Sequence, residues 1–221
     1  MQDSKTLEGV LFDMDGTLFG TEEIWYQSEL KLMTRFGVPW NRADHAYCVG
    51  GPMARVTKYM LDKLDNKISA EELFTFEMEY IEREFALNPI PWQPGAEGLV
   101  LEARDKGIKI ALVTASNKHL VNLVNAQIKL DVFDTIVCGD DVALPKPNPE
   151  AYQLAMAKLG LNSQNSIAIE DSNSGVRSAL AADLHVLCPP SHQIIVSDDK
   201  LKLIDTLEGI TLKDLEFWDW K

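Results

Sequence analysis

Basic residues are in short supply: 21 Lys and Arg stand against 34 Asp and Glu, a formal net charge of −13 over 221 residues. A chain this acidic is repelled by nucleic acid and by anionic membranes unless a local basic patch offsets it, and it contains no Lys/Arg run. Cysteine is equally sparse. Cys48, Cys138 and Cys188 are odd in number and far apart, which suggests neither a disulfide framework nor a zinc site. No apolar stretch approaches the length of a membrane span, and the polar opening Met1-Gln2-Asp3-Ser4-Lys5 has no signal-peptide core. Internal repeats, low-complexity tracts and long linkers are lacking as well. The expectation is a cytoplasmic protein without nucleic-acid, membrane or obligate protein partners. What is present, 46% hydrophobic and 25% charged residues, suits a globular domain, or a core carrying a smaller inserted module.

Short apolar runs mark strands buried on both faces: Val10-Leu11-Phe12, Ile108 to Val113, Thr135 to Cys138, Ser166 to Ile169, and His185-Val186-Leu187. Helical spacing lies between the later runs, in Leu120, Val121, Val124 and Ile128, and again in Tyr152, Ala155 and Leu159 before a Gly160 stop. Asn148 followed by Pro149 predicts an N-cap with proline at the first helical position. Alternating strands and helices imply a parallel sheet covered on both faces. The stretch 19–94 is different. Thr21 can cap a helix that Gly37 and Pro39 end, Met53, Val56, Met60, Leu61 and Leu64 form an apolar stripe, and Ser69 with Glu72 forms a capping-box pattern. The fold class expected is therefore α/β: a Rossmann-like parallel sheet over 1–18 and 95–221, with a small all-helical cap over 19–94 inserted after the first strand.

The polar groups sit at the ends of those strands. Asp13 and Asp15 follow the first, Thr114 and Ser116 end the second, and Glu170 with Asp171 end a later one. In an open parallel sheet the ligand crevice lies outside the carboxyl ends of the strands, so these side chains converge on one rim. Asp13 and Asp15, at i and i+2 of an extended strand end, point into the same crevice, and like charges so close call for a cation or a shared proton. A hard ion such as Mg²⁺ prefers oxygen ligands of this kind, and Gly16 allows the chain to turn sharply beside them. Lys146, in Leu144-Pro145-Lys146-Pro147-Asn148-Pro149, is held on a stiff loop where its ammonium can neutralise a phosphoryl group. Thr114, Ala115 and Ser116 can offer a hydroxyl and backbone N–H groups to phosphate oxygens.

These ordered motifs, Asp13-Met14-Asp15-Gly16-Thr17, Thr114, Lys146-Pro147 and Glu170-Asp171-Ser172, resemble the haloacid-dehalogenase-like (HAD) hydrolase superfamily over nearly the whole chain. The cap position and the Lys-Pro-Asn-Pro-Glu and Glu-Asp-Ser strings are most similar to the β-phosphoglucomutase-like branch, which includes sugar-phosphate phosphatases. The resemblance implies that Asp13 is a nucleophile forming an aspartyl-phosphate, that Asp15 is the general acid/base, and that Thr114 and Lys146 bind the phosphoryl group. It further implies Mg²⁺ held by Asp13, the backbone carbonyl of Asp15, and Asp171, with Glu170 either a ligand or one layer out. Two departures stand out. Many relatives carry Asp-Ser-Glu where this chain has Gly20-Thr21-Glu22, so a polar anchor at the cap hinge is expected to be missing. Gly50-Gly51-Pro52 resembles the cap's specificity loop but no basic residue follows at once; Arg55 and Lys58 are nearest and are expected on a solvated helix face. The function implied is a Mg²⁺-dependent phosphatase of small phosphorylated metabolites, sugar or polyol phosphates foremost. A phosphomutase with the same core residues is the nearest alternative, with a non-catalytic phospholigand-binding protein further off.

Overall fold

β1 (Gly9–Phe12) is followed by four helices, α1 (Glu22–Arg35), α2 (Arg42–Cys48), α3 (Met53–Lys63) and α4 (Ala70–Leu87). Only then does alternation begin: α5 (Ala96–Asp105), β2 (Lys109–Val113), α6 (Lys118–Gln127), β3 (Thr135–Val137) and α7 (Glu150–Leu159). It continues through β4 (Ser166–Ile169), α8 (Asn173–Ala181), β5 (His185–Cys188), β6 (Leu201–Leu203) and α9 (Leu212–Phe217). This computed structural model describes residues 6–51, 53–191 and 193–217. The aromatic tail Phe217-Trp218-Asp219-Trp220, expected to pack on the core, lies outside the described residues except for the backbone of Phe217. No described helix is long and apolar enough to cross a membrane.

The strands form one six-stranded sheet in the order β3-β2-β1-β4-β5-β6, with every pairing parallel. The α/β, Rossmann-like expectation is borne out. Alternation along β1 divides the core: Val10 and Phe12 pack with Ile110, Leu112, Ile167 and Ile169 on one face, and Leu11 with Ala111, Val113 and Ala168 on the other. The second face is covered by Tyr152 and Ala155 of α7 and by Val176 and Ala179 of α8. Phe12 is in register with both Leu112 and Ile169, so Asp13, Thr114 and Glu170 leave the sheet at nearly one level. β1 lies where the strand order reverses, the position at which such sheets open a crevice.

Between β1 and α5, the helices carry their own apolar cluster of Leu32, Met33, Trp40, Met60, Leu64 and Leu73. The Ser69–Glu72 capping box forms as expected. Met53, from the same stripe as Met60, is half exposed and faces a cavity instead. Met78, Ile81 and Phe85 of α4 join the cluster under the sheet, so α4 bridges the two regions. The chain passes in and out of the helical region side by side: Gly20 N–H donates to Pro91 O at 2.9 Å and Gln93 N–H to Leu18 O at 2.7 Å. The Phe19 and Trp92 rings meet at a tilt beside this crossing, 4.6 Å between centroids and 57° between planes.

Several local expectations need correction. Thr21 stands before α1 but its hydroxyl does not cap it. Asn148 does accept from Glu150 N–H at 3.1 Å, yet α7 starts one residue later than expected, with Pro149 at the cap. α2 and β6 were not anticipated. α2 is seven residues long and held by the Asn41–Asp44 capping box, while Leu201-Lys202-Leu203 is an edge strand with too little burial to read as an apolar run. The left-handed turn at the first motif belongs to Gly16, with φ +84°, where a Cβ would run into the Asp171 carboxylate.

Candidate active site

β1, β2 and β4 end in a cavity of about 530 Å³ that lies between the sheet and the helices α1 to α4. Asp13, Asp15, Thr114, Ala115, Ser116 and Lys146 all line it. Glu170 and Asp171 do not; they are buried just behind, with exposures of 0% and 2%. The convergence expected on one rim is therefore what the fold produces, from residues up to 158 positions apart (Asp13 to Asp171).

Lys146 is the hub. Its Nζ donates to Asp13 Oδ1 at 2.8 Å, to Val113 O at 2.9 Å and to Glu170 Oε1 at 2.5 Å, with Tyr152 Oη at 3.5 Å. Burial alone would lower its pKa, but the carboxylates of Asp13 and Glu170 outweigh burial and raise it, so the ammonium stays charged. Glu170 is saturated: Oε1 takes Lys146 and Tyr152 Oη (3.2 Å), and Oε2 takes the N–H and hydroxyl of Ser172, both at 3.1 Å. Asp171 accepts from the Thr17 hydroxyl at 2.8 Å and donates its own N–H back to Thr17 Oγ1 at 3.1 Å.

Asp13, Glu170 and Asp171 each place a carboxylate oxygen within 4.8 Å of the others. Burial, then the Glu170 carboxylate, push Asp13 well above the usual carboxylate range, and burial with Asp13 and Glu170 does the same to Asp171. One ammonium among three buried carboxylates leaves negative charge uncompensated, and the donors are all hard oxygens. The cluster fits a divalent cation of the Mg²⁺ type.

Asp15 is outside that cluster, although its carboxylate shares the cavity. The Thr21 hydroxyl donates to its Oδ1 at 2.6 Å and the Ser116 hydroxyl to its Oδ2 at 2.7 Å. Where a polar contact was expected to be missing, Thr21 supplies one, fully buried and turned onto Asp15. Nothing in the sequence signalled this, because a threonine ahead of a helix reads as its cap. Ser116 likewise bonds Asp15, while Thr114 Oγ1 accepts from Ser116 N–H at 3.0 Å and Asn117 caps α6. Tyr152 was legible only as an apolar-stripe residue. Arg55 stacks on the Tyr47 ring and donates to the Tyr47 carbonyl at 2.8 Å, and Lys58 pairs with Asp62; neither lines the cavity, as expected of a solvated face.

Gly175, in the first turn of α8, was also missed. A Cβ there would collide with the Glu170 carboxyl group. Gly175→Ala should gain roughly 1 kcal/mol of helix propensity. Overpacking a rigid ionic cluster costs about 1–3 kcal/mol, so the net expectation is a less stable protein with Lys146 displaced and turnover reduced. Denaturant midpoints and kcat measured together test this; a variant more stable than the parent, with full kcat, contradicts it.

A family model described as haloacid dehalogenase-like hydrolase matches residues 10–188. The chain belongs to that family. It is an enzyme, a hydrolase several of whose relatives are named as phosphatases. It is 28% identical over 191 residues to the phosphorylated carbohydrates phosphatase of Thermotoga maritima, covering 85% of this chain and 87% of that one. It is 26% identical over 230 residues to hexitol phosphatase B of Escherichia coli, covering 97% and 99%. Among solved structures, a CbbY mutant from Rhodobacter sphaeroides in complex with xylulose-(1,5)bisphosphate superposes with TM-score 0.81 at 26% identity, covering 95% of this chain and 99% of that one.

Proposed function

We propose that the chain is a Mg²⁺-dependent phosphatase of small phosphorylated metabolites, sugar or polyol phosphates foremost, working through an aspartyl-phosphate on Asp13. The observation that carries this is the state of Asp13. Lys146 holds its Oδ1, no described residue donates to Oδ2, and the side chain opens on the cavity that Asp15 shares.

Oδ2 of Asp13 attacks phosphorus while Asp15 protonates the leaving oxygen. The Thr21 and Ser116 hydroxyls orient Asp15 for that transfer, and Asp15 then takes a proton from the water that hydrolyses the acyl-phosphate. Lys146 and the Thr114 region meet the equatorial phosphoryl oxygens, with Lys146 fixed by Glu170 and Val113 O. Asp13, Asp171 and the backbone carbonyl of Asp15 would hold Mg²⁺. Glu170, whose oxygens already take four donors, positions Lys146. The ion supplies positive charge against the transferring phosphoryl group.

In this proposal residues 19–94 act as a cap over a core of 1–18 and 95–221, excluding bulk water. Gln193 Nε2 donates to Ala46 O at 2.9 Å and Val49 O at 2.8 Å, a contact that holds the α2 end against the core. A cytoplasmic setting suits the three buried, unpaired cysteines.

The test is phosphate release from a panel of sugar and polyol phosphates with and without Mg²⁺. Release with Mg²⁺ is expected. Conversion to an isomeric phosphate without release would make the chain a phosphomutase, and no reaction with any ester would overturn the proposal.

A further inference from the structure

The helical wall of the cavity carries polar groups that the phosphoryl chemistry leaves unused. Glu29 of α1, His45 of α2 and Glu77 of α4 line it, only 3%, 5% and 3% exposed. Trp40 Nε1 donates to Glu29 Oε2 at 3.0 Å and His45 Nδ1 meets the same oxygen at 2.8 Å; no described residue reaches Oε1. His45 Nε2 is buried without a hydrogen-bond partner. The Glu77 carboxyl makes no hydrogen bond to a described residue. Buried polar atoms are rarely left unsatisfied, and His45 Nε2, with the open carboxylate oxygens of Glu29 and Glu77 on the same cavity wall, offers partners to a ligand. Around them the wall is apolar, with Trp25, Val56 and Phe74.

Charge narrows the ligand. Among the described residues, Lys146 is the only Lys or Arg lining the cavity, and Asp13 and Glu170 already engage it. We propose that Glu29, His45 and Glu77 select the leaving group, binding the hydroxyls of a monophosphate ester whose leaving alcohol is uncharged and rejecting esters with a second phosphate at that end. This rests on the phosphatase reading and deepens it to a substrate class.

The protonation state of Glu77 agrees. Burial and then the Glu29 carboxylate push it up to about 8, so near neutral pH its carboxyl is mostly protonated and both donates and accepts, as a hydroxyl partner should. A second phosphate would be desolvated beside Glu29 with no free Lys or Arg among the described lining residues to meet it. The chain would then differ from CbbY, whose structure holds xylulose-(1,5)bisphosphate.

The experiment compares kcat/KM for matched mono- and bisphosphates, such as fructose 6-phosphate and fructose 1,6-bisphosphate, and for hydroxylated against deoxy monophosphates. The intact enzyme should prefer the monophosphate by about 100-fold, and Glu77→Lys should shrink that preference by about ten-fold or more. Glu77→Leu and His45→Asn, better suited to a buried site, should raise KM for hydroxylated esters by about ten-fold with a smaller change for deoxy esters. Circular dichroism establishes that each variant is folded. Equal use of mono- and bisphosphates by the parent overturns the proposal. So does an unchanged hydroxylated-to-deoxy ratio in folded Glu77→Leu and His45→Asn. Phosphate release without such discrimination leaves the phosphatase reading intact and removes only this one, whereas no release from any ester removes both.

Discussion

Replacing Asp13 with Asn should lower phosphate release to below about a thousandth of the parent rate while leaving the fold in place. An amide is a poor nucleophile, and the variant also loses the charge that draws Lys146 and a cation to this oxygen pair. Stability should not suffer. Burial and Glu170 already push Asp13 above the usual carboxylate range, so the metal-free fold disfavours its ionised form, and a neutral side chain of the same shape removes that repulsion. Lys146 keeps Glu170 and the Val113 carbonyl as partners. The expected result is a melting temperature equal to or above the parent's, beside absent turnover and no acid-stable labelling of the protein by substrate phosphate. More than a few per cent of parental activity, with contamination excluded, would sink the nucleophile assignment.

Exhaustive EDTA treatment should reduce activity by about a thousand-fold, and Mg²⁺ should restore it. Ca²⁺ should be a poor substitute because it is larger and less strict in coordination. Binding has a second readout: an ion held by the native state alone stabilises it by roughly 2.7 kcal/mol at 100 times its Kd. Mg²⁺ should therefore raise the melting temperature of the parent, and Asp171→Asn should abolish that rise. Activity that survives chelation, or a rise unchanged in Asp171→Asn, rules out Asp13 and Asp171 as the residues that hold the metal.

How legible each part was follows from how local its cause is. The strands β1, β2, β4 and β5 could be read because a strand buried on both faces must be a nearly unbroken apolar run, and the edge strand β3 because Thr135-Ile136-Val137 is an unbroken β-branched run. β6 could not, since an edge strand with half-exposed side chains carries no such constraint. The chemistry-bearing residues were legible because each sits where an apolar run stops, and the rule for parallel sheets places those stops on one rim. Glu77 shows what a closer reading would have found. With Leu73 and Ile81 at i−4 and i+4, both buried, it is a charge on an apolar stripe. Thr21 offers no such signal.

By itself the sequence determined the α/β alternation, the helical segment inserted after β1 and the identity of the residues at the strand ends. Those follow from periodicity and from polar residues closing apolar runs, properties of short stretches of chain. Only the tertiary structure decided the partnerships. Thr21 turned to Asp15 instead of capping α1, Glu170 gave all its lone pairs to Lys146, Tyr152 and Ser172, and Glu29, His45 and Glu77 came together on a wall built from three helices. A polar side chain takes the best partner that packing leaves within reach, and for these residues that partner comes from packing between elements distant in the chain.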